Sequence, residues 1–253
     1  MTMRKLRICA ALAIIAGVLG CARTRSISNS HFVRETSYYA VDPTDQHTHA
    51  AFGYYGELSE HDVLAIAPER RITEADIAQA LTNRAAPKLK PGSTILVVQS
   101  GAAFPDAGMV TALEREFRIV PFSGVPTDAH DGSKGAYSRL LRLTAARAGC
   151  EAIVCYWGIL ESGRNDVVTK TVSWVPIAGW VLPDEKQVMR IRLKVAVIDV
   201  RTGDWTVMSP AAHEDLALST HLSRGSSDQR QVEKLKQLAY ASAARDLIAT
   251  STH

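Results

Sequence analysis

The sequence predicts an α/β fold, a mixed β-sheet packed by helices in the order β-α-β-α-β-β-β-β-α and arranged as a two-layer sandwich. Three observations predict it. Short apolar runs at Thr94–Gln99 and Phe117–Phe122 alternate with segments of helical spacing. A long run, Gln187–Val200, sets Met189, Ile191, Leu193, Val195 and Val197 against Arg190, Arg192, Lys194 and Ala196, which gives one buried and one largely wet face. The last segment carries Val232, Leu235, Leu238, Ala239, Ala243 and Leu247 as a helical stripe. A chain of 253 residues, 46% hydrophobic and 22% charged, has an ordinary globular composition, too apolar for disorder.

The elements follow in chain order. Arg4, Lys5 and Arg7 precede an unbroken run of apolar and small residues from Ile8 to Gly20, the pattern of a secretory signal peptide. A permanent transmembrane helix needs about 20 apolar residues, so this run is too short to be one. It ends in Val18-Leu19-Gly20-Cys21, which resembles the lipobox of bacterial lipoproteins. The resemblance implies cleavage after Gly20, diacylation of the Cys21 thiol and acylation of the new amine. One acyl chain holds a protein to a bilayer only marginally, whereas several anchor it durably. Ala22 stands where inner-membrane retention signals commonly place Asp, so by the same analogy the protein is sorted to the outer membrane.

Residues 22–59 show no sustained apolar period and read as a tether, with Tyr38, Tyr39, Phe52, Tyr54 and Tyr55 as docking points. The organisation is thus a signal peptide at 1–20, a lipidated tether at 21–59 and a periplasmic α/β domain at 60–253. Val63–Ala67 reads as a short strand, and Thr73-Glu74-Ala75-Asp76 has the spacing of a capping box that opens a helix with Ile77, Ala80 and Leu81 on one face. Pro91-Gly92 introduces the buried strand Thr94–Gln99. A loop, the helix Gly108–Glu116 and the strand Phe117–Phe122 follow. After a loop over Ser123–Ser133, Tyr137, Leu140, Leu141, Leu143, Ala145 and Ala146 form an amphipathic helix closed by Gly149. Glu151–Gly158, Asp166–Trp174 and Gln187–Val200 read as strands, Arg201–Asp204 as a tight turn, and Trp205–Met208 as the start of a returning strand. Ser226–Gln229 starts the last helix.

The turn and its surroundings carry a second resemblance. A helix ending in Ala146-Arg147-Ala148-Gly149-Cys150 leads into the strand Ala152-Ile153-Val154, and a later strand ends in Asp199-Val200-Arg201-Thr202-Gly203, with Trp205 just beyond. Together with the strand order and the lipobox, this resembles a superfamily of bacterial envelope lipoproteins. It includes the curli-secretion channel lipoprotein, the lipoprotein activators of penicillin-binding proteins and the N-terminal domain of the Tol-system translocation protein. The resemblance covers roughly residues 94–249 and implies a binding or assembly role with no catalytic residues. One departure is that no pair of alternating segments of about ten residues is present to build a membrane barrel.

Charge and chemistry narrow the function. The net charge of +3 comes from the signal peptide. Without its three basic residues, 26 basic side chains face 26 acidic ones, and such a chain does not advertise nucleic-acid binding. After loss of Cys9 and acylation of Cys21, only Cys150 and Cys155 remain to pair in an oxidising compartment. Five strand residues span about 16 Å, beyond the roughly 7 Å of a disulfide, so both read as buried thiols. His47 and His49 have no carboxylate or cysteine cluster to complete a metal site. Ser100-Gly101 follows a strand as a nucleophile elbow does, yet lacks the Gly-x-Ser-x-Gly spacing. His130-Asp131 and His213-Glu214-Asp215 supply bases for that alternative. Gly132-Ser133-Lys134-Gly135 lacks the first glycine of a phosphate loop.

The apolar connection Val172–Pro183 holds Trp174, Ile177, Trp180 and Leu182. It either folds over its own core or docks a partner protein or the membrane interface. These observations lead to an outer-membrane lipoprotein that faces the periplasm and serves as a non-catalytic binding or assembly factor. It has no cofactor and no metal. Its partners are the membrane, through the anchor, and an envelope protein or further copies of itself. The alternatives are a periplasmic hydrolase acting on cell-wall or peptide substrates, and an oligomeric secretion or pore component.

Overall fold

The computed structural model describes residues 23–30, 56–66, 72–82, 87, 89–126, 136–166, 185–219 and 224–251. Its strands are β1 (Arg23–Ser26), β2 (Thr94–Gln99), β3 (Arg118–Phe122), β4 (Ala152–Asp166), β5 (Glu185–Asp199), β6 (Trp205–Met208) and β7 (His213–Ser219). Its helices are α1 (Glu60–Val63), α2 (Glu74–Thr82), α3 (Ala107–Leu113), α4 (Ala136–Arg147) and α5 (Arg224–Ser251). The fold class is the expected one, α/β with a mixed sheet.

The seven strands form one sheet of order β3-β2-β4-β5-β6, in which β1 pairs with β4 and β7 with β5. β2 runs parallel to both β3 and β4, and β4 and β5 form an antiparallel hairpin fifteen residues long on each side. β2 uses the first part of one β4 edge, opposite Ala152–Tyr156, and β1 continues along it opposite Ile159–Ser162. On β5, β6 borders Val195–Ile198 and β7 borders Glu185–Ile191. The sheet therefore has two halves joined by the long hairpin.

Topology decides where the helices go. The crossover from β2 to β3 runs one way along the sheet, and the crossover from β3 to β4 runs back past β2. Crossovers of the usual right-handed type then put α3 and α4 on opposite faces. Side chains agree: Ile95 and Val97 join a core with Met109, Leu113 and the inner face of α5, while Leu96 and Val98 join a second core with Leu141, Ala145, Val63 and Leu64. Helices thus cover both faces of the β2 half. β2 is a continuous apolar run because both of its faces are buried. In α5, Leu238 lies outside the buried stripe at 44% exposure and Lys236 lies inside it, because at about 3.6 residues per turn Lys236 falls between Ala243 and Leu247 on the buried arc from Leu235 to Tyr240.

Five local expectations change. The strand expected over Glu151–Gly158 runs on to Asp166 as β4, and of the strand expected over Asp166–Trp174 all but Asp166 lies outside the described residues. Of the expected strand Val63–Ala67, Val63 ends helix α1, residues 64–66 follow it as a turn, and Ala67 lies outside the described residues, since Ser59 stands at the N-cap of α1 and Glu60 and Asp62 suit a first turn. Thr73 and Asp76 do form the box, with the Thr73 hydroxyl donating to Asp76 Oδ2 at 2.7 Å, but Ile77 and Leu81 stay exposed. β7 is an additional strand. Within the stretch read as tether, Arg23–Ser26 is a paired strand and Ile27–Asn29 a single 3₁₀ turn, with Ile27 buried at 2% exposure.

Cys150 and Cys155 are both free and buried. Burial pushes both thiols above their ordinary value, with Glu57 and Glu60 adding to the effect at Cys155.

Candidate functional site at the carboxyl end of β2

Open α/β sheets hold ligands outside the carboxyl ends of their parallel strands, where neighbouring connections leave in opposite directions. Here that point is the end of β2, between its crossover to β3 and the parallel neighbour β4. Gln99 and Ser100 occupy it, each 1% exposed. Gln99 ends β2 and Ser100 directly follows it, so they point to opposite faces, and each holds a different part of the chain.

On the α5 face, Gln99 Oε1 accepts from the Tyr156 hydroxyl at 2.6 Å and from the Asp106 N–H at 2.7 Å. Gln99 Nε2 donates to Ser28 Oγ at 2.9 Å, and that hydroxyl donates to the Ser100 carbonyl at 2.6 Å. Asp106, at the N-cap of α3, turns its carboxylate away from the helix backbone and accepts from Lys236 Nζ at 2.9 Å and from the Tyr240 hydroxyl at 2.5 Å. The Tyr156 and Tyr240 rings meet edge to face with centroids 6.0 Å apart. Burial, before the nearby Asp106 charge, pushes both phenols well above their ordinary value, so they remain protonated donors. Gly108 lets α3 approach closely, since a Cβ there would stand 2.6 Å from Gln237 Nε2 on α5.

On the α4 face, the Ser100 hydroxyl donates to Glu57 Oε2 and accepts from the Leu58 N–H at 2.7 Å. The Leu58 carbonyl in turn accepts from Trp157 Nε1 at 2.8 Å. Ser100, the candidate nucleophile, is therefore engaged by Glu57 and Leu58. The candidate base His213 instead shares a 2.9 Å hydrogen bond with Ser242 on α5. Two backbone bonds tie the loops after β2 and β3 together, from Gly101 N–H to the Gly124 carbonyl and from Gly124 N–H to the Ala102 carbonyl, both 2.9 Å.

The N-terminal turn completes the arrangement. Ser26 caps it by accepting from the Ser28 N–H at 3.0 Å, and Ser30 Oγ donates to the Ile27 carbonyl at 2.7 Å. Ile27 lies against Gly158 of β4. A Cβ on Gly158 would stand 2.7 Å from both Ile27 Cδ1 and Leu193 Cδ2, so the glycine is the space into which Ile27 fits. Residues 27–30 and 57–58 thus occupy the place where such folds receive a ligand.

Gln99, Asp106, Tyr156, Lys236 and Tyr240 were not singled out by the sequence reading. The signal available was two adjacent polar residues ending an otherwise apolar buried strand. Cys21, Trp174, Ile177, Trp180 and Leu182 lie outside the described residues, as do His47, His49 and His130. Among the described residues, no group of three or more His, Cys, Asp or Glu is placed to hold a metal ion.

No curated protein matches the chain significantly. Solved structures that resemble it include the following three. A PelC dodecamer from Paraburkholderia phytofirmans is 15% identical, covers 62% of this chain and 95% of its own, and has a TM-score of 0.24. Lipoprotein GNA1162 from Neisseria meningitidis is 16% identical over 58% of this chain and 98% of its own, with a TM-score of 0.26. The hypothetical protein CT253 from Chlamydia trachomatis is 11% identical over 60% of this chain and 97% of its own, with a TM-score of 0.27. The family model of the YafT bacterial lipoproteins matches residues 59–250, most of the chain, and the protein belongs to that bacterial lipoprotein family.

Proposed function

We propose that this envelope lipoprotein is anchored through Cys21 in the outer membrane, faces the periplasm, and acts there as a non-catalytic binding or assembly factor. The observation that carries the reading is the filled crevice. Gln99, Ser100, Asp106, Tyr156 and Tyr240 take one another, Glu57, Leu58, Lys236 and the N-terminal turn as partners, whereas a catalytic site leaves groups within hydrogen-bond reach of a substrate. Its work is then done by its surface. The apolar connection between β4 and β5 supplies the docking side chains Trp174, Ile177, Trp180 and Leu182, and aromatic anchors of this kind dominate protein interfaces.

Fractionation of cells making the wild type and Cys21→Ser tests the anchor. The wild type is expected in outer-membrane fractions, and the variant as uncleaved precursor or soluble protein. Mature Cys21→Ser protein still found in the outer membrane refutes it. A photoreactive residue at Trp180 is expected to crosslink one discrete envelope protein, and a lack of any adduct from a folded protein removes that docking role.

A further inference from the structure

The position of β1 makes the anchor a structural matter. β1 runs antiparallel to β4 with Arg23 opposite Ser162 and Ser26 opposite Ile159, so the chain enters the fold from the end of the sheet where β4 finishes, β5 starts and β7 finishes. Cys21 is only two residues before Arg23, and two residues reach at most about 7 Å. From there the chain is held by the pairing with β4, by Ile27 in the Gly158 recess and by Ser28 on Gln99 and Ser100.

The same end of the sheet changes polarity at the level of Arg23, opposite Ser162. On the face left open by α4, one row across the strands is charged, Glu161 on β4, Arg190 on β5 and Glu214 on β7, joined by ion pairs. The next row on that face, one step closer to the anchor, is Gly163, Val188 and Leu216. It bears no charge, and Leu216 is 58% exposed. An uncharged row beyond a charged one, with Val188 half-buried and Leu216 exposed, suits the boundary between lipid headgroups and water.

Resting on the lipid anchor at Cys21, we infer that β1 is a rigid strut and not a tether, and that it holds the β1-β4-β5-β7 end of the sheet against the phospholipid surface. The opposite end, where β4 starts, then points away from the membrane. Gly163 and Glu151 lie near the two ends of β4, separated by about 40 Å of strand.

The test uses the full lipidated protein in vesicles of phosphatidylethanolamine and phosphatidylglycerol with nitroxide-bearing headgroups. A thiol-reactive fluorophore is placed at Gly163→Cys, where a Cβ meets nothing within 4 Å, or at the exposed Glu151→Cys. Cys150 and Cys155 are buried and do not compete for the label. The Gly163 label is expected to lose most of its emission and the Glu151 label almost none. A flexible Gly-Ser spacer inserted between Ala22 and Arg23 is expected to restore the Gly163 emission while vesicle binding persists. Equal emission from both sites, whether bright or quenched, overturns the inference, as does quenching that survives the spacer. The mass of the N-terminal peptide separates the two ideas. A peptide without acyl chains overturns the anchor and the strut together, whereas an acylated protein with a bright Gly163 label overturns the strut alone.

Discussion

The two halves of the sheet are built by different rules. The half around β2 has a hydrophobic core on each face, and its strands are apolar without interruption from Ile95 to Val98 and from Ala152 to Tyr156. Among the described residues, the half around β1 and β7 has α5 on one face only. There, Met189 and Ile191 are buried while Arg190 and Arg192 stand on the open face with Glu161 and Glu214. The first half is a stable body. The second is an arm whose outer face holds together through exposed ion pairs, each contributing about 0.2–1 kcal/mol, and whose inner face depends on α5 and the N-terminal turn. In this chain, double coverage goes with the polar lock at the end of β2, and single coverage goes with the end that carries the N-terminus.

Five substitutions or conditions would break or sharpen this contrast. The largest effect is expected from Gly124→Ala in the doubly covered half, since the new Cβ would lie 1.7 Å from the Gln99 carbonyl oxygen. Backbone must move, at a cost of about 4 kcal/mol, and urea unfolding should show a midpoint far below the wild type or no cooperative transition. Ile27→Ala empties the Gly158 recess and should cost about 3 kcal/mol. Hydrogen exchange then tells whether the arm is a separate unit. Faster exchange limited to β1, β4 beyond Gly158 and β7 supports two halves, and uniform acceleration across β2 as well removes the distinction.

Alkaline pH should act mainly on the first half. Tyr137 is pushed up to about 12, first by burial and then by Cys155, and Tyr156 and Tyr240 are raised as well. A phenol raised in the folded state binds its proton more tightly there than in the unfolded chain. Its stabilisation is complete below the unfolded value of 10.0 and is lost as pH climbs from there towards the folded value. Thermal unfolding should therefore shift downward above pH 10, with Tyr137 accounting for about 3 kcal/mol once fully titrated. Because the Tyr137 hydroxyl is buried with no hydrogen-bond partner among the described residues, Tyr137→Phe should raise stability by about 1 kcal/mol at neutral pH and flatten part of the alkaline decline. An unchanged alkaline profile in that variant would assign the decline to other groups. The smallest effect is expected on the open face of the arm. Glu161→Gln breaks pairs with Arg190 and Arg192 and should cost about 0.5 kcal/mol, a difference that disappears at high salt.

Much of the first half was legible from local pattern. β2 and β3 announce themselves as apolar runs, α4 by Leu141 and Ala145 at helical spacing with Gly149 behind them, and the turn at Arg201–Gly203 by its residues. Gly149 and Gly203 take φ of 71° and 81°, the left-handed conformation that glycine adopts without strain. The elements of the arm were harder to see. Arg23-Thr24-Arg25-Ser26 has no apolar residue, and His213–Ser219 has neither β-branched nor aromatic residues of the kind that marks a strand. Both are strands because β4 and β5 extend beyond β2 and β6 and leave edges to pair. The polar lock was hidden for another reason. Gln99, Asp106, Tyr156 and Tyr240 are separated by up to 141 positions, and no spacing rule connects them.

The amino-acid sequence by itself determined the fold class, the buried central strands, the long alternating strand β5 and the amphipathic helices, because periodicity and turn chemistry act over a few residues. It also carries the basic start, the apolar run and the lipobox-like end that mark the N-terminus. Only the tertiary structure decided that helices cover both faces of one half, that the β2 crevice is filled by the chain's own N-terminal turn, and that the residues just after Cys21 form a strand. Those outcomes depend on which edges and recesses remain once the sheet has assembled. The 2.7 Å approach of Ile27 to the place of a missing Cβ on Gly158 is a contact between residues 131 positions apart, set by packing and not by local pattern.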